Sequence, residues 1–565
     1  MFGGLLPLLV LIGIIVLVAR MVGSRDRTTS DSQGVSVRRI FQYLAMLATL
    51  VLSCVGLAGL IDAAATSAQQ ITVDTGAVAR SISFVVVGLP AFVALALYTR
   101  RGLREDPAEV RSAGWALYLT LALLVSLVIS VSVLIALFGQ LLTGEGFDRA
   151  ALVNALIWGG VWAAHWWVAQ RHGYAPNLRV EHLLGSLIGL SVMLSGAAIA
   201  AANGLVEIYD AVFDIPAVGS AREAIVLPLA AGAVGGLVWG WYWLRTTLNE
   251  ERSLLWTAYV LLAGVLSGVL MVVAGLGTSL FRVLQWFLAD PSGTAATHFE
   301  VIPAAIAVVL VGGTDWMYHR FILSGGGERK RTEVERVYDY LLAGAGLLVT
   351  GGGIATLLTY AVWALAGTEI TGSDNDVIAV ALTLLAVGAP LWGIYWTRAQ
   401  RSRARDATAE VQSTTRRVYL FFIVGISGLV ALVSLIVLVY VFVENVLDGT
   451  VGASTLDAMA VPIGLVATAG ALAAYHFSVV RHDRAEMPAA PKPSVREVIL
   501  ITSDGVDLTK ALTEADMRVR TFHAAANPVD LDSVDEVLDA LGNETHQTVV
   551  VVTTEGGGFE VVPLD

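Results

Sequence analysis

The sequence predicts an all-α polytopic membrane bundle of about 13 transmembrane helices, with six two-helix repeats after an N-terminal anchor and a small C-terminal α/β domain. Three observations carry that prediction. Residues of the AVILMFWYC set fill 56% of 565 positions and charged residues only 15%, where a soluble globular chain carries about 25% charged residues. Mean hydropathy is +0.72. The apolar residues are gathered into runs of about 20 or more, the length a helix needs to cross a hydrocarbon core. So few charges could not cover a water-facing surface, which disfavours disorder, a secreted disulfide scaffold and a DNA-binding role.

The runs fall near 2–22, 39–61, 80–99, 113–142, 150–170, 183–208, 223–244, 254–288, 301–320, 337–366, 377–397, 417–447 and 457–480. No basic segment or small-residue cleavage site precedes Arg20, so the first run reads as an uncleaved anchor. Residues 1–37 are therefore anchor and polar linker, and 38–484 the repeated hairpin domain. A Pro-rich linker at 485–494 leads to an acidic domain at 495–565.

Loop charge sets the expected orientation. One set of loops carries Arg25, Arg27, Arg100, Arg101, Arg171, Arg245, Arg329, Lys330, Arg401 and Arg403. The alternate loops hold Asp74, Glu145, Asp214, Asp290, Glu369 and Asp448 and almost no Lys or Arg. Basic loops are cytoplasmic, which places the N-terminus outside and the C-terminus inside the cell membrane. Cys54 is the single cysteine; within an apolar run it reads as a small buried hydrophobe, and no disulfide or cysteine metal cluster can form.

A two-helix unit recurs six times, opening near 39, 111, 182, 252, 336 and 417. Its closing helices are rich in Gly or Pro and end in aromatic and basic residues. Trp162, His165, Trp239, Trp316, Trp392 and Tyr395 belong to these ends and read as an interfacial belt, with Trp and Tyr at headgroup level and Arg beyond them. That reading is preferred to a substrate-binding one. Pro90, Pro228, Pro303, Pro390 and Pro462 mark expected kinks.

The unit opens with Arg-Arg-x-aromatic and closes with Gly-x-Pro-x-Trp-x-x-Tyr-Trp-x-Arg, clearest at 388–398. It resembles the bacterial membrane family catalogued as domain of unknown function 5671, over roughly 38–481; the unit at 182–245 lacks the arginine pair. The resemblance implies a tandem hairpin fold. The family has no assigned activity, so it brings no catalytic residues.

Charges inside a membrane are costly and default to functional candidates. Asp62 with Arg80 and Glu207 with Arg222 are the expected interhelical ion pairs, read first as locks at the outer interface and second as an anion or proton gate. Asp315 lies one turn inside the belt, with only His319 and Arg320 near it in sequence. Asn154 and Asn203 are the other deep polar positions. His-Glu-x-x-His and the phosphate-binding Gly-x-x-x-x-Gly-Lys are both missing from the sequence. No catalytic constellation, cofactor or metal is expected, and the chain is read as a non-enzyme.

Residues 495–565 hold 14 acidic and 4 basic side chains, a net of −10. That charge opposes nucleic acid. The expected element order is β-α-β-α-β-β. A phosphate cradle at Thr502-Ser503-Asp504-Gly505 is weighed against ordinary turn chemistry, and a docking or regulatory module is preferred. The partners expected are the lipid bilayer and a protein docking on this domain. The reading is a membrane scaffold or sensor; the alternative is an ion or small-molecule transporter with a path between the hairpins.

Overall fold

The computed structural model describes residues 30–66, 74–144, 146, 148–172, 175–216, 220–289, 291, 293–324, 333–367, 374–486, 495–502, 506–523, 534–542, 544, 546–553 and 558–564. The expected first run at 2–22 lies outside them, as do residues 487–494 of the linker expected at 485–494 and most of the 502–505 turn. The chain divides into two units, Met1–Arg481 and His482–Asp565.

The first unit is helical throughout its described residues. In chain order it contains α1 (Ser30–Thr66), α2 (Thr75–Glu105), α3 (Ala113–Thr143), α4 (Arg149–His172), α5 (Ala175–Phe213) and α6 (Ala221–Trp239). A π-helical turn at Gly240–Leu244 extends α6. The short α7 (Leu254–Ala258) passes through a second π-helical turn, Tyr259–Leu266, into α8 (Ser267–Leu288). There follow α9 (Ala295–Phe299), α10 (Ile302–Ser324), α11 (Glu333–Ala366), α12 (Asp374–Arg405), α13 (Ala407–Gln412), α14 (Thr414–Leu447) and α15 (Ala453–Glu486).

Among the described residues, eleven helices are long and apolar enough to cross a membrane. The expected span at 150–170 is α4, a 24-residue helix outside those eleven. Asn154, His165 and four tryptophans lower its hydropathy. Side-chain acceptors start the helices at the basic loops: Ser112, Ser253 and Ser413 each accept a backbone N–H of the first turn. Pro90, Pro228, Pro390 and Pro462 lie inside helices. Pro303 corrects the expectation of a kink. It is the second residue of α10, where a missing N–H costs no helical bond.

Neighbouring helices pack as hairpins: α1 with α2, α3 with α4, α5 with α6, α8 with α10, and α11 with α12. Glycine permits the closest of these. A Cβ at Gly388 on α12 would come within 2.6 Å of the Thr350 nitrogen on α11. The last two helices, α14 and α15, do not close on each other in this way. Aromatic-rich cores lie toward the basic loops, around Tyr43, Trp115 and Tyr118, around Trp243, Trp256 and Tyr259, and around Tyr340, Trp396 and Tyr419.

The second unit has the expected element order: β1 (Glu497–Thr502), α16 (Val506–Glu514), β2 (Arg518–His523), α17 (Val534–Gly542), β3 (Thr548–Thr553) and β4 (Phe559–Leu564). Its sheet runs β2-β1-β3-β4. Strand β1 is parallel to β2 and β3, with Val498 opposite Val519 and Val549, and β4 is antiparallel to β3. Alternate residues Val498, Leu500, Val549 and Val551 are buried with Leu508, Leu512, Val537 and Leu541, as a strand's two-residue period requires.

Candidate functional site

Three similar clusters sit where the basic loops meet the long apolar helices. Each is built on Glu-x-x-Ser-x-x-(Trp or Arg)-x-x-Tyr, at Glu109–Tyr118, Glu250–Tyr259 and Glu410–Tyr419. The serine caps the helix, so Trp115, Trp256 and Arg416 are its third residue and the tyrosine follows one turn deeper.

The glutamate in each cluster reaches back to the helix that opens the preceding hairpin. Tyr43 donates to Glu109 at 2.7 Å, with Arg39 3.8 Å from the same carboxylate. Tyr340 donates to Glu410 at 2.9 Å, and Arg336 donates to its other oxygen at 3.0 Å. In the middle cluster His182 takes the tyrosine's place, with Nδ1 2.6 Å from Glu250. Beside it Glu181 is fully buried, accepts from Tyr242 at 2.8 Å, and stands 3.7 Å from His182 Nε2.

A histidine on a closing helix completes each cluster. His165, His319 and His476 place Nδ1 at 2.8, 3.0 and 2.9 Å from the carbonyls of Val161, Asp315 and Leu472, each four residues back. A carbonyl only accepts, so Nδ1 carries the proton. What happens at Nε2 differs. Tyr118 donates to His165 Nε2 at 2.8 Å. The His319 ring lies among Trp239, Trp243, Tyr259 and Tyr318, where Gly264 makes room, because a Cβ there would overlap the ring. In the third cluster neither Tyr419 Oη nor His476 Nε2 has a hydrogen-bond partner. Arg416, in the tryptophan's position, is fully buried and donates to the Tyr340 hydroxyl at 2.9 Å.

Asp315 is buried and partnered. Its carboxylate lies 2.9 Å from His319 Nδ1 and accepts from Ser267 at 3.0 Å. The other two expected pairs are not found among the described residues. Asp62 is half-buried on α1, but Arg80 is exposed, and no ion pair joins the two among the described residues. The α1–α2 contact runs through Ser81 and Gly88, which turns the neighbouring Arg80 away. Arg222 donates instead to the Leu142 carbonyl at the end of α3, at 2.8 Å. Glu207 is half-buried on α5 and makes no ion pair with Arg222 among the described residues.

Most residues of the expected belt make hydrogen bonds to other helices. Trp162 donates to Tyr242 at 2.9 Å, Trp239 to Tyr259 at 3.2 Å, and Trp316 to Tyr338 at 3.2 Å. Tyr395 is buried, with its hydroxyl 3.1 Å from that of Tyr338, and His165 is buried against Tyr118. Trp392 is half-buried, and its Nε1 has no hydrogen-bond partner. The indole N–H groups of Trp162, Trp239 and Trp316 are aimed at other helices, because an indole N–H inside a bundle needs an acceptor there. The pattern continues at Trp243–Tyr318 and Trp396–Tyr475, both 2.8 Å.

Sequence reasoning missed Glu109, Glu181, Glu250 and Glu410, and read Arg416 only as a basic residue opening the last unit. The recurrence of Glu three residues before a capping Ser was available in the sequence. It missed Arg282 as well, within α8, which donates to Gln285 at 3.0 Å while Gln285 donates to Asp376 at 2.9 Å. Among the described residues no group of three or more His, Cys, Asp or Glu side chains is placed to hold a metal ion.

Residues 39–164 and 336–471 match the family described as Domain of unknown function (DUF5671). These two matched stretches together make up a little under half of the chain. They contain the first and third Glu-to-Tyr motifs, and the middle motif lies between the matches. The family resemblance over 38–481 is thus narrowed to these two stretches. The central stretch is where both π-helical turns, Glu181 and the Asp315–His319 pair occur. No curated protein matches the chain, and no solved structure does.

Proposed function

We propose that this is a membrane scaffold or sensor of the cell membrane, with a cytoplasmic α/β domain as its docking module. The six expected hairpins group in this reading as three four-helix units, each with one Glu–Ser–Tyr–His cluster on the cytoplasmic side. The N-terminus is outside and no enzymatic step is assigned. The observation that carries the reading is the set of indole-to-hydroxyl bonds between successive closing helices, Trp162–Tyr242, Trp243–Tyr318 and Trp396–Tyr475. Such bonds fix helices against one another at one level, as a platform requires and a moving gate does not. Phe522, 58% exposed on the edge strand β2, supports a protein partner for the second unit, since an edge strand offers unpaired backbone groups.

Thiol accessibility tests this. In a Cys54→Ser background, Asn154→Cys and Asn203→Cys should resist a membrane-impermeant maleimide from both sides and react only after unfolding. Reaction from one side would sink the platform reading.

A transporter is the competing reading, and the buried Glu181 and His182 beside the half-buried Glu250 favour it. Proton flux into reconstituted vesicles that is lost in Glu181→Gln would establish it. Flux no greater than in empty vesicles would remove it.

A further inference from the structure

We infer that this protein self-associates head to tail in the membrane, with the second half of α14 in one copy packed on α2 of the next. The hairpins α1–α2, α5–α6 and α11–α12 provide an internal comparison, and glycines set their common register. A Cβ at Gly56, Gly196 or Gly353 would press on the carbonyl of Ser81, Pro228 or Ala381, at 2.9, 2.6 and 3.0 Å respectively. Those three carbonyls therefore mark equivalent positions on α2, α6 and α12.

Two of these closing helices also meet the serine-capped helix that comes before their hairpin. Six residues before Pro228, Arg222 donates to the Leu142 carbonyl of α3 at 2.8 Å. Six residues before Ala381, Asn375 donates to the Leu288 carbonyl of α8. Farther along α6, Leu227 lies 3.2 Å from where a Cβ of Gly139 on α3 would be. Val234, 2% exposed, then shares one core with Leu124, Leu127 and Val131 of α3. On α12, Thr383 comes to 3.8 Å from a Cβ at Gly277 of α8. One joint is thus made twice within the chain.

Each half of that joint is also present once without its mate. Among the described residues nothing precedes α1, and Val87, the counterpart of Val234 on α2, is 69% exposed. After α15 comes the α/β domain and no further hairpin. Counted from the cluster tyrosines Tyr118 and Tyr419, the counterparts of Leu124, Leu127 and Val131 on α14 are Gly425, Gly428 and Leu432. Open space surrounds a Cβ at either glycine, and Leu432 is 55% exposed. Both faces are bare in the same chain, so they do not meet within it.

Charge then selects the occupant. In the same register Arg80 is the counterpart of Leu227, and Tyr440 that of Gly139. A second copy placed by this joint brings its Arg80 to Tyr440, whose hydroxyl donates to Glu444 at 2.9 Å. Arg80 and Glu444 are exposed, and neither makes an ion pair among the described residues. Lipid chains give these two charges no partner. A two-fold pairing of α14 with α14 would set Glu444 against Glu444, whereas the head-to-tail contact sets arginine against glutamate. Such a heterologous contact builds a ring or a row of copies. Where a single copy occupies its own patch of bilayer, α14 stays free beyond its pinned end.

The test is disulfide trapping in native membranes, with every chain carrying Cys54→Ser. Copies with Leu432→Cys and copies with Val87→Cys, each with its own tag, are co-expressed and oxidised with copper phenanthroline. A crosslink joining the two tags is expected, and neither variant should crosslink alone. A chain carrying both substitutions should give oligomers of more than two copies. Arg80→Glu in the Val87→Cys copy should lower the yield about threefold, the scale of an exposed ion pair. Glu444→Arg in the other copy should restore it. A Leu432→Cys dimer of equal yield, a doubly substituted chain that crosslinks only within itself, no crosslink in any pairing, or no rescue by Glu444→Arg would overturn the assignment.

Discussion

Three histidines place Nδ1–H on the carbonyl four residues back; Nε2 then accepts from Tyr118 at His165 and has no partner at His319 or His476. Tyr118→Phe would leave His165 Nε2 buried and unpaired, a loss of about 1–3 kcal/mol. Tyr419→Phe removes a hydroxyl with no partner and should change stability by less than about 0.5 kcal/mol. Thermal unfolding of both variants in one detergent checks the contrast. Individual residues were unevenly legible in the sequence. Tyr118, His165 and Asp315 could be named as notable; their partners could not, because the partner comes from another helix. Trp239 or Trp316 at a helix end looks the same whether its indole meets a headgroup or a tyrosine on the next helix. What differs is the rotation of the helix about its axis, which composition does not encode.

At the level of elements, the apolar runs located nearly all the described helices because twenty unbroken apolar residues have few other uses. The C-terminal β-α-β-α-β-β order was equally legible, since Val498, Leu500, Val549 and Val551 alternate with less buried neighbours. The repeat was harder to read. Aromatics and arginines recur at every hairpin, whereas Glu-x-x-Ser recurs at every second one, in loops that a search for apolar runs passes over. Those glutamates tie one hairpin to the next. Glu410 is 2% exposed and holds both Arg336 and Tyr340. Glu410→Ala should therefore cost about 3 kcal/mol, as removal of one member of a buried pair does, and Glu410→Gln should cost less. Guanidinium-free thermal melts of the two variants against the parent would check the order.

The molecule as a whole is two separately cored units. Residues 495–565 expressed alone should show a cooperative thermal transition in circular dichroism with mixed helix and strand signal, since every core residue of the sheet is its own. The chain cut after Glu486 should keep the melting behaviour of the membrane unit. Within that unit α14 differs from the other helices. It is 34 residues long, about 51 Å at 1.5 Å per residue, against a hydrocarbon thickness of about 30 Å. Arg416, Ser413 and Tyr419 hold its basic end among buried neighbours, while Leu432, Ile436, Val439 and Val443 beyond it are exposed. A rod pinned at one end and longer than its medium is deep must lean, and the lean follows the medium. Spin labels at Val418 and Val439, about 32 Å apart along the axis, should move closer in depth when the acyl chains of the bilayer are shortened. Hairpinned helices such as α11 and α12, braced by each other, should hold their depth. α14 would then register membrane thickness.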